Sequence, residues 1–514
     1  MFYLIPLLFS MISTSFVVAV PDIHSSPACP ELRTRAETLQ DCLSSHDVPI
    51  FFASASNFAQ LAQPFNQRLA YTPAVIVVPT TEHHIADAVV CAGQSGVKVQ
   101  AKSGGHSYAS FSSGGQDGSM VIDLQSFQNI TVDGNGVASV GGGVRLGNMA
   151  LAIYDQAKRA LPHGTCPGVG IGGHASHGGF GYSSRSWGLT LDTIVGLDVV
   201  LPNGTFIHAT SSAYPDIYYA LRGAAADFGI ITTFYLQTQP APTSVVNFHY
   251  NIPGMLSSAS ATTAVFEHLQ SVALNVSIVD RRLGLGVYLD GGQFYFSGTF
   301  FGDLADFNDN IASALLNGIP TPSYSNVQSV DWITSLTMLG APNPLQEPTS
   351  GYNLHDDFFA KSLVVPSSSP LTTEALNSYF GYVIQSLGNA PSSWFTIINL
   401  YGGPDSQINV PSASSSAYSD RDALWVFQNY ARTSSPASPY PATDIIFVNG
   451  LNTAVTSAMP QTPFGAYLNY VDPTLTPAEA HALYYDAPTY QKLLSIKSVV
   501  DPGKVFSNPQ SVGN

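Results

Sequence analysis

One run of twenty residues, 162 to 181, constrains this chain more than any other: PHGTCPGVGIGGHASHGGFG. Glycine has no Cβ, so a run this rich in glycine lets the backbone approach a ligand or another backbone segment closely. The run contains one cysteine, Cys166, and no Asp, Glu, Lys or Arg. We therefore predict that it wraps a large ligand, and the rest of the sequence indicates which one.

The composition restricts the partners of the chain. Its 514 residues suffice for about two to four domains, and 45% of them are hydrophobic. Only 10% are charged, and the formal net charge is −16. Nucleic-acid binding requires clustered Lys and Arg, so we expect a small-molecule substrate and no nucleic acid. No apolar run of about 18 residues follows residue 20, so we expect no stable membrane association. We also expect a monomer.

The N-terminal residues indicate a secretory route. Residues 1–20 are apolar and end in small residues before Pro21, which is typical of a signal peptide, although a positively charged start is missing and a membrane anchor is the alternative. Some cysteines of a secreted chain should pair, and there are four: Cys29, Cys42, Cys91 and Cys166. We also predict glycosylation at three Asn-X-Ser/Thr triplets, Asn129, Asn203 and Asn275.

The first half of the chain predicts a mixed α and β domain. A strand over 74–78, a helix over 82–94 and a strand over 97–101 lead into the turn Ser103-Gly-Gly-His-Ser-Tyr. A helix is predicted over 146–161. Strands over 192–200 and 205–209 form a predicted hairpin across Asn203-Gly204, because Asn-Gly supplies the positive φ angles of its turn.

The second half predicts a separate antiparallel sheet. Gln239-Pro-Ala-Pro is typical of a domain boundary, and residues 283–289 and 293–301 alternate in the manner of strands. Helices are predicted near 262–273, 304–316 and 372–387, and one long helix is predicted over 477–500. The fold class indicated by these patterns is α+β.

Three interpretations of the glycine run stay open on pattern alone. Gly168 to Gly173 matches G-x-G-x-x-G, but prolines precede it where a dinucleotide-binding motif needs a strand. A zinc site could use His106, His163, Cys166, His174 and His177, although their spacing is irregular. The third interpretation is a flavin, because glycine loops present backbone N–H groups to a pyrophosphate. His106 and Cys166, each in its own glycine turn, could then reach the flavin ring from two sides.

Several segments together resemble the FAD-linked oxidases of the berberine bridge enzyme-like group, and most of all the fungal oligosaccharide oxidases. They are Ser103-Gly-Gly-His-Ser-Tyr, His163-Gly-Thr-Cys-Pro-Gly-Val-Gly-Ile-Gly-Gly-His, Gly188-Leu-Thr-Leu-Asp and Ala220-Leu-Arg-Gly. The C-terminal segment agrees as well, with Asn469-Tyr470, Tyr484-Tyr485 and Asp501-Pro-Gly-Lys-Val-Phe. The resemblance covers nearly the whole chain after residue 20.

The resemblance implies a vanillyl-alcohol-oxidase-type fold. Residues 1–20 would be the signal peptide, 21–240 a PCMH-type FAD-binding domain, 241–440 a substrate domain of antiparallel sheet backed by helices, and 441–514 a C-terminal return to the FAD-binding domain. It also implies FAD bonded twice, through His106 to the 8α-methyl group and through Cys166 to C6. The other implied cofactor contacts are Gly104, Gly105, Ser107, Gly168, Gly170, Gly172, Gly173, His174, Gly229 and Ile230.

The catalytic base implied by the resemblance is Tyr470. As a phenolate it would take the hydroxyl proton of the substrate while a hydride passes to the flavin, which O2 then reoxidises. A tyrosine pKa near ~10 must be lowered for this role at neutral pH. The resemblance also implies a disulfide between Cys42 and Cys91, which leaves Cys29 without an assigned partner.

The chain departs from the sugar oxidases at the implied substrate contacts. The aspartate that assists the base is replaced by Asn399, and other polar contacts fall at Tyr288, Leu339 and Ile397, whereas Tyr108 keeps its type. Because a sugar pocket needs paired polar groups, these changes predict a less polar substrate, such as a small apolar metabolite carrying an alcohol or phenol group. The alternatives are a carbohydrate oxidase that forms lactones and a non-catalytic flavin-containing sugar-binding protein.

Overall fold

The computed structural model describes residues 39–352, 355–391 and 393–514. The predicted signal peptide and Cys29 lie outside these ranges. Within them, no helix is both long and apolar enough to cross a membrane. The described chain forms sheets of four, five and seven strands and one two-stranded sheet.

The first sheet is small and mostly parallel. Its strands, in the order β1-β2-β4-β3, are β1 (Ile50–Phe51), β2 (Val75–Val77), β3 (Val99–Lys102) and β4 (Met120–Asp123). Both β2 and β3 run parallel to β4, and the helix Glu82–Ser95 connects β2 to β3, which confirms the predicted β-α-β unit.

A disulfide fastens the N-terminal part of the described chain to this unit. Cys42 lies in the helical residues 39–45 and is bonded to Cys91 of the helix Glu82–Ser95, with a Cα–Cα distance of 5.8 Å. The predicted disulfide is therefore confirmed. Cys166 is the one free cysteine among the described residues.

The second sheet is antiparallel, in the order β5-β6-β10-β8-β9. Its strands are β5 (Ile130–Val132), β6 (Val137–Gly141), β8 (Ile194–Val200), β9 (Phe206–Ala209) and β10 (Ile230–Gln237). Strands β8 and β9 form the predicted hairpin, with Gly204 at a φ of 79° in its turn.

The helix before the glycine run is shorter than predicted. It spans Leu146–Ala157 instead of reaching residue 161, because Lys158 adopts a left-handed φ of 52°. The next two residues form β7 (Arg159–Ala160), which pairs with β11 (Gln239–Pro240).

The third sheet has seven antiparallel strands in the order β15-β12-β14-β13-β17-β18-β16. They are β12 (Val245–Asn251), β13 (Leu283–Asp290), β14 (Phe294–Phe300), β15 (Tyr324–Val330), β16 (Phe358–Pro366), β17 (Ser393–Leu400) and β18 (Ala423–Arg432). One face packs against the helices Ala259–Ala273, Thr373–Ser386 and Ala442–Ala458 in a large apolar core. The opposite face is turned toward the first two sheets.

A buried arginine holds the third sheet against the glycine run. Arg185, in the short helix Ser184–Trp187, is fully buried. It donates to the carbonyls of Gly402 (2.8 Å), Asp280 (2.9 Å), Pro404 (3.0 Å) and Leu283. These acceptors flank β13 and β17, so one side chain fixes the spacing between the two halves of the molecule.

The predicted long C-terminal helix is wrong. The structure has two helices, Pro477–Tyr484 and Ala487–Val500, separated where the side chain of Asp486 caps the second by accepting from the Thr489 backbone. Pro488 in the first turn of the second helix cannot continue the first, because proline lacks a backbone N–H. The buried Lys497 then donates to the carbonyls of Asp227 (2.6 Å) and Phe506 (2.8 Å), which ties this segment to the first half of the chain.

The remaining helices are short or peripheral. They are Phe58–Ala62, Ile171–Ser176, Ser184–Trp187, Pro215–Ala220, Leu304–Asp306, Ser313–Leu316 and Trp332–Gly340, with a π-helix at Phe307–Ala312. Strands β1–β11 fall within 21–240 and β12–β18 within 241–440, while the helix Ala442–Ala458 packs on the third sheet. The predicted domain division itself stays a prediction.

Candidate active site

A cavity of about 600 Å³ lies between the glycine run and the third sheet. We call residues 103–108 and 162–181 the floor of this cavity, and strands β17 and β18 its roof. The cavity brings together most of the residues predicted from the sequence: Gly104, Gly105, His106, Ser107, Tyr108, Cys166, Gly168, Gly170, Gly173, His174, Ile397, Asn399 and Tyr470.

Two glycine loops of the floor touch backbone to backbone. A Cβ on Gly104 would lie 2.3 Å from the nitrogen of Gly170, and a Cβ on Gly170 would lie 2.0 Å from the nitrogen of Gly104. The hydroxyl of Ser103 accepts from the nitrogen of Gly172 (3.1 Å) and donates to the carbonyl of Gly142 (2.6 Å). Only glycine permits this contact, so the floor is closed by main-chain atoms.

His106 lies in the floor as a neutral imidazole. Its ring stacks on Phe65 with 4.1 Å between centroids. Burial, and then the nearby positive Arg145, lower its pKa to about 3. A neutral imidazole keeps a free lone pair, which is the form needed for bonding to an electrophilic carbon.

Cys166 presents its thiol to the same cavity. The residue is exposed within the cavity, although protein surrounds it, and this burial raises the pKa of the thiol while a hydrogen bond with Thr165 lowers it. At neutral pH the side chain is therefore a thiol, which reacts slowly with general electrophiles. An electrophile held against it would overcome this limitation.

The cavity wall carries buried polar atoms that suit a cofactor with hydroxyl and amino groups. The hydroxyl oxygen of Ser112, Oδ1 of Asp227 and Oε1 of Gln510 are buried and lack a hydrogen-bond partner among the described residues. An unpaired buried polar atom costs about 1–3 kcal/mol, so a ligand is the expected partner. FAD has ribityl and ribose hydroxyls and an adenine amino group, and its chemistry fits these residues together with His106 and Cys166.

Tyr470 reaches the cavity from the C-terminal segment. It ends a short turn, Leu468–Tyr470, which docks on the glycine run because the hydroxyl of Tyr467 accepts from the nitrogens of Gly179 (2.9 Å) and Phe180 (3.3 Å). A Cβ on Gly178 would lie 2.8 Å from the Tyr467 ring. The glycines of the run therefore make room for the segment that delivers the base.

The protein alone keeps Tyr470 protonated. Its ring stacks on Tyr108 at 5.4 Å, and the pKa of Tyr470 is raised well above its ordinary value by burial and by the neighbouring phenols Tyr108 and Tyr467. Cys166 and Tyr182, which also line the cavity, raise the pKa of Tyr470 as well. A role as base therefore requires alkaline pH or a charge supplied by something bound in the cavity.

The roof offers side chains from neighbouring strands in register. Asn399 lies opposite Gly286, and Ile397 lies between Tyr288 and Gln428. Asn399 is only 8% exposed, faces the cavity, and makes no side-chain hydrogen bond to any described residue. Gln428 donates to the hydroxyl of Tyr108 at 2.6 Å, which links the roof to the floor.

Five predicted contacts lie away from the cavity wall, among them Leu339 in the helix Trp332–Gly340. Gly172 packs against Ser103, and a Cβ on Gly229 would lie 2.5 Å from Val199, so both glycines serve packing inside the protein. Ile230 is buried in the apolar core at the start of β10. The hydroxyl of Tyr288 donates to Asp290 at 3.0 Å, and its paired residue on β17, Ile397, lines the cavity in its place.

Among the residues of the cavity wall that sequence reasoning missed are Tyr182, Phe395 and Gln428. A signal for Tyr182 exists in Gly284 and Gly286, which alternate on one face of β13. Glycine inside a strand often marks a place where another group approaches the backbone closely. Nothing comparable marks Phe395 or Gln428, whose positions follow from strand register alone.

The histidines of the glycine run act within the loop. The Nε2 atom of His174 accepts from the nitrogen of Gly164 at 3.0 Å, and Nδ1 of His177 lies 3.0 Å from the carbonyl of Gly173. Burial lowers the pKa of His174 to about 3 and that of His177 to about 4, so both are neutral. Across the described ranges, the single His, Cys, Asp and Glu group compact enough for a metal is Cys42, His46 and Cys91, whose cysteines are bonded to each other.

Two families of known proteins match two parts of the chain that contribute residues to the cavity. Residues 73–210 match an FAD binding domain, and residues 466–513 match the berberine and berberine-like family. The first range includes His106 and Cys166, and the second includes Tyr470.

Full-length relatives match as well. The chain is 36% identical to a xylooligosaccharide oxidase from Thermothelomyces thermophilus, over 97% of this chain and 98% of that protein. It is 33% identical to a chitooligosaccharide oxidase from Gibberella zeae, over 93% and 95% of the two chains. A solved glucooligosaccharide oxidase from Acremonium strictum, described with 6-S-cysteinyl, 8α-N1-histidyl FAD, has a TM-score of 0.85 at 32% identity over 92% of this chain and 99% of that one.

The fold and these matches define an FAD-dependent oxidoreductase. More narrowly, the chain belongs to the berberine bridge enzyme-like family of FAD-linked oxidases. The predicted α+β, vanillyl-alcohol-oxidase-type fold and the predicted FAD cofactor are confirmed.

Proposed function

We propose that this protein oxidises the anomeric carbon of a saccharide to a lactone, with FAD bonded to His106 and Cys166 and O2 as the acceptor that yields hydrogen peroxide. The observation that carries the proposal is the single cavity shared by His106, Cys166 and Tyr470, under a roof that holds the unpartnered amide of Asn399. The bound flavin supplies a two-electron acceptor for the hydride that leaves the substrate carbon.

The residues of the chain have separate tasks in this reaction. Tyr470 takes the hydroxyl proton of the substrate, and the stacked Tyr108 holds the Tyr470 ring at a fixed angle. Two bonds, from His106 and Cys166, would fix the flavin ring in the floor while the roof stays open to substrate. Positioning of this kind lowers the barrier by holding the reacting atoms close together.

A hydroxyl-rich substrate is supported by the polar groups of the roof. The Asn399 amide has donor and acceptor capacity that no described residue uses, and a substrate hydroxyl could use both. At the cavity wall, the hydroxyl of Tyr430 donates to Asp356 at 2.7 Å, and Arg432 lies 3.6 Å from the same carboxylate. The names of the oligosaccharide-oxidising relatives support the same substrate class.

The small apolar metabolite predicted from the sequence is the second candidate. It is supported by Ile397 and Phe395, which line the cavity with apolar surface. A substrate with an aromatic ring beside its alcohol would use this surface and leave the amide of Asn399 to a single hydroxyl.

An anaerobic reduction assay decides between the candidates. The purified holoprotein is mixed with cellobiose, xylobiose or chitobiose, and in parallel with benzyl alcohol, and the loss of the yellow flavin absorbance is followed. The proposal expects reduction by at least one sugar faster than by benzyl alcohol. The reverse order would overturn the saccharide assignment, and no reduction by any of them would favour a non-catalytic sugar-binding protein.

The attachment sites are tested on denatured protein. Flavin absorbance that stays with the acid-precipitated polypeptide reports a covalent bond. We expect it in the wild type, in His106→Ala and in Cys166→Ala, and we expect its loss in the double variant. His208→Ala, which changes a histidine on the exposed edge of the second sheet, is the control. Retention of covalent flavin in the double variant would contradict the assignment.

We also propose secretion and glycosylation. Asn129, Asn203 and Asn275 are all exposed, so each is accessible to a glycan, and the disulfide fits an oxidising compartment. Removal of N-glycans by an endoglycosidase should increase the electrophoretic mobility of the natural protein. The proposal also includes a monomer, which light scattering of the deglycosylated protein tests.

A further inference from the structure

Tyr182 lies next to the roof, in a recess made by two glycines of β13. A Cβ on Gly284 would lie 2.3 Å from the carbonyl oxygen of Tyr182, and a Cβ on Gly286 would lie 2.8 Å from its hydroxyl. Glycines at alternate positions leave one face of β13 without side chains there. Tyr182 directly follows the floor segment 162–181 in sequence, and it lies against the main chain of β13.

The same recess brings Tyr182 beside Asn399. A Cβ on Gly286 would also lie 2.8 Å from Oδ1 of Asn399. The Tyr182 hydroxyl and the Asn399 amide are therefore neighbours, because both lie next to the space that a side chain at residue 286 would fill. Gly286 and Asn399 are paired across the sheet, and both Tyr182 and Asn399 line the cavity. The two polar groups therefore form one small polar niche in a roof that is otherwise bordered by Ile397 and Phe395.

The niche has unused hydrogen-bonding capacity. The hydroxyl of Tyr182 bonds to the side chain of Ser297, which lies opposite Gly286 on β14. A phenol has one donor and acceptor capacity besides, so one bond leaves room for a second. The Asn399 amide, as described above, has no side-chain partner among the described residues.

The niche is close to the reacting position. Tyr182 and Tyr470 both line the cavity, and Tyr182 lies near enough to raise the pKa of Tyr470. A substrate whose reacting hydroxyl meets Tyr470 would bring the polar group on its neighbouring carbon toward Tyr182 and Asn399.

We propose that Tyr182, together with Asn399, is a specificity-determining pair that binds a second hydroxyl on the carbon next to the one oxidised. This inference rests on the proposed function and narrows the substrate class to sugars or other alcohols with an adjacent hydroxyl. It gives Asn399 a task of its own, because an amide can both donate to and accept from a neutral hydroxyl.

The test compares D-glucose with 2-deoxy-D-glucose, which lacks the neighbouring hydroxyl. Anaerobic reduction of the flavin is measured as a function of sugar concentration for wild type and Tyr182→Phe. We expect the kcat/KM of wild type to be about tenfold to a hundredfold higher for D-glucose than for 2-deoxy-D-glucose. Tyr182→Phe should reduce this ratio at least about tenfold. The reduction should come from a change in KM more than from a change in kcat.

Two further variants separate this role from a structural one. Gly286→Ala would push the phenol and the amide apart while keeping both, so it should reduce the same preference. Tyr379→Phe removes a buried phenol that bonds to Thr396 at 2.9 Å on the helix-covered face of the same sheet, and it should leave the preference unchanged. Loss of the preference in Tyr379→Phe would show that the effect is structural.

The outcomes distinguish this inference from the proposed function. If neither sugar reduces the flavin of the wild type, saccharide oxidation fails and the inference fails with it. If D-glucose reduces the wild type but Tyr182→Phe keeps the full preference over 2-deoxy-D-glucose, the role of Tyr182 is overturned while the proposed function stands.

Discussion

At the floor of the cavity, Gly104 and Gly170 bring two backbones into direct contact, whereas at the roof Ile397, Asn399 and Gln428 reach the cavity as side chains. A backbone contact tolerates no added atom. A side chain on a strand can be exchanged while the strand keeps its hydrogen bonds. The floor can therefore hold one cofactor for many substrates, and the roof can change the substrate without disturbing the cofactor.

The difference in construction predicts different responses to substitution. Changes in the floor should act on stability and on flavin content. Changes in the roof should act on substrate preference and leave the flavin in position.

The largest effect is expected from Gly170→Ala. The new Cβ would lie 2.0 Å from a backbone nitrogen, which only a main-chain shift can relieve, at a cost of about 3 kcal/mol or more. We expect a large fall in melting temperature and little bound flavin. Gly134→Ala, where a Cβ meets nothing within 4 Å, is the control. It should change neither the melting temperature nor the amount of bound flavin. A stable, flavin-loaded Gly170→Ala protein would refute the description of the floor.

Gly173→Ala tests whether the floor contacts the flavin itself. A Cβ on Gly173 meets no protein atom within 4 Å, although the residue lines the cavity. We expect this variant to fold normally but to contain less flavin. Equal flavin content in Gly173→Ala and wild type would place the cofactor away from this part of the floor.

Tyr470→Phe comes next in size. Loss of a general base typically costs about 10²–10⁴ in rate, so we expect kcat to fall at least about a hundredfold with the flavin retained. Because the pKa of Tyr470 is raised, its phenolate forms only toward alkaline pH, and kcat/KM of the wild type should increase as pH rises. A wild-type rate that falls with rising pH, or an active Tyr470→Phe variant, would remove Tyr470 from this role.

Ile397→Gln tests the roof. A new amide beside Asn399 should favour hydroxyl-rich substrates, raising kcat/KM for cellobiose over benzyl alcohol by about tenfold at unchanged flavin content. The adjacent Ile398 is fully buried on the opposite face, so Ile398→Gln should instead destabilise the protein by about 2 kcal/mol or more. Equal loss of stability in both variants would contradict the tolerance expected of the roof.

The last prediction concerns Asp420, outside both walls. Burial, and then the nearby Asp486, raise its pKa from 3.8 to about 8. The folded state therefore binds a proton that the unfolded state has lost, so the free energy of unfolding should fall as pH rises from about 4 to about 8. Asp420→Asn should weaken this dependence in denaturant titrations at several pH values. An unchanged dependence would mean that Asp420 titrates normally.

The floor could be predicted from sequence because its parts are local. His106 and Cys166 stand within short glycine motifs, and a glycine run can be recognised without knowing what it touches. The contacts of Gly229 and Ile230 were not found at the cavity, because a motif does not reveal whether its glycines face a ligand or, as at Gly229, the neighbouring Val199.

The roof could be predicted only in part. Tyr182, Gly286 and Asn399 come together from three distant parts of the chain, and no local pattern states which strands pair or in what register. The same reason explains Tyr288, because the cavity is lined by its paired residue Ile397 on β17 and not by Tyr288 itself. The break after Tyr484 was missed because Asp486 and Pro488 were not recognised as the start of a new helix.

The docking of Tyr467 on Gly179 and Phe180 also sets the order of events during biosynthesis. The glycine run leaves the ribosome almost 300 residues before Tyr467, and Lys497 follows 30 residues later still. At about 5–20 residues per second, the delay before Tyr467 is roughly 15–60 seconds. During this interval the half-built floor lacks its C-terminal partners. Flavin attachment that requires the complete cavity would then be a late step, and premature termination anywhere before Tyr467 would yield a chain unable to retain its cofactor.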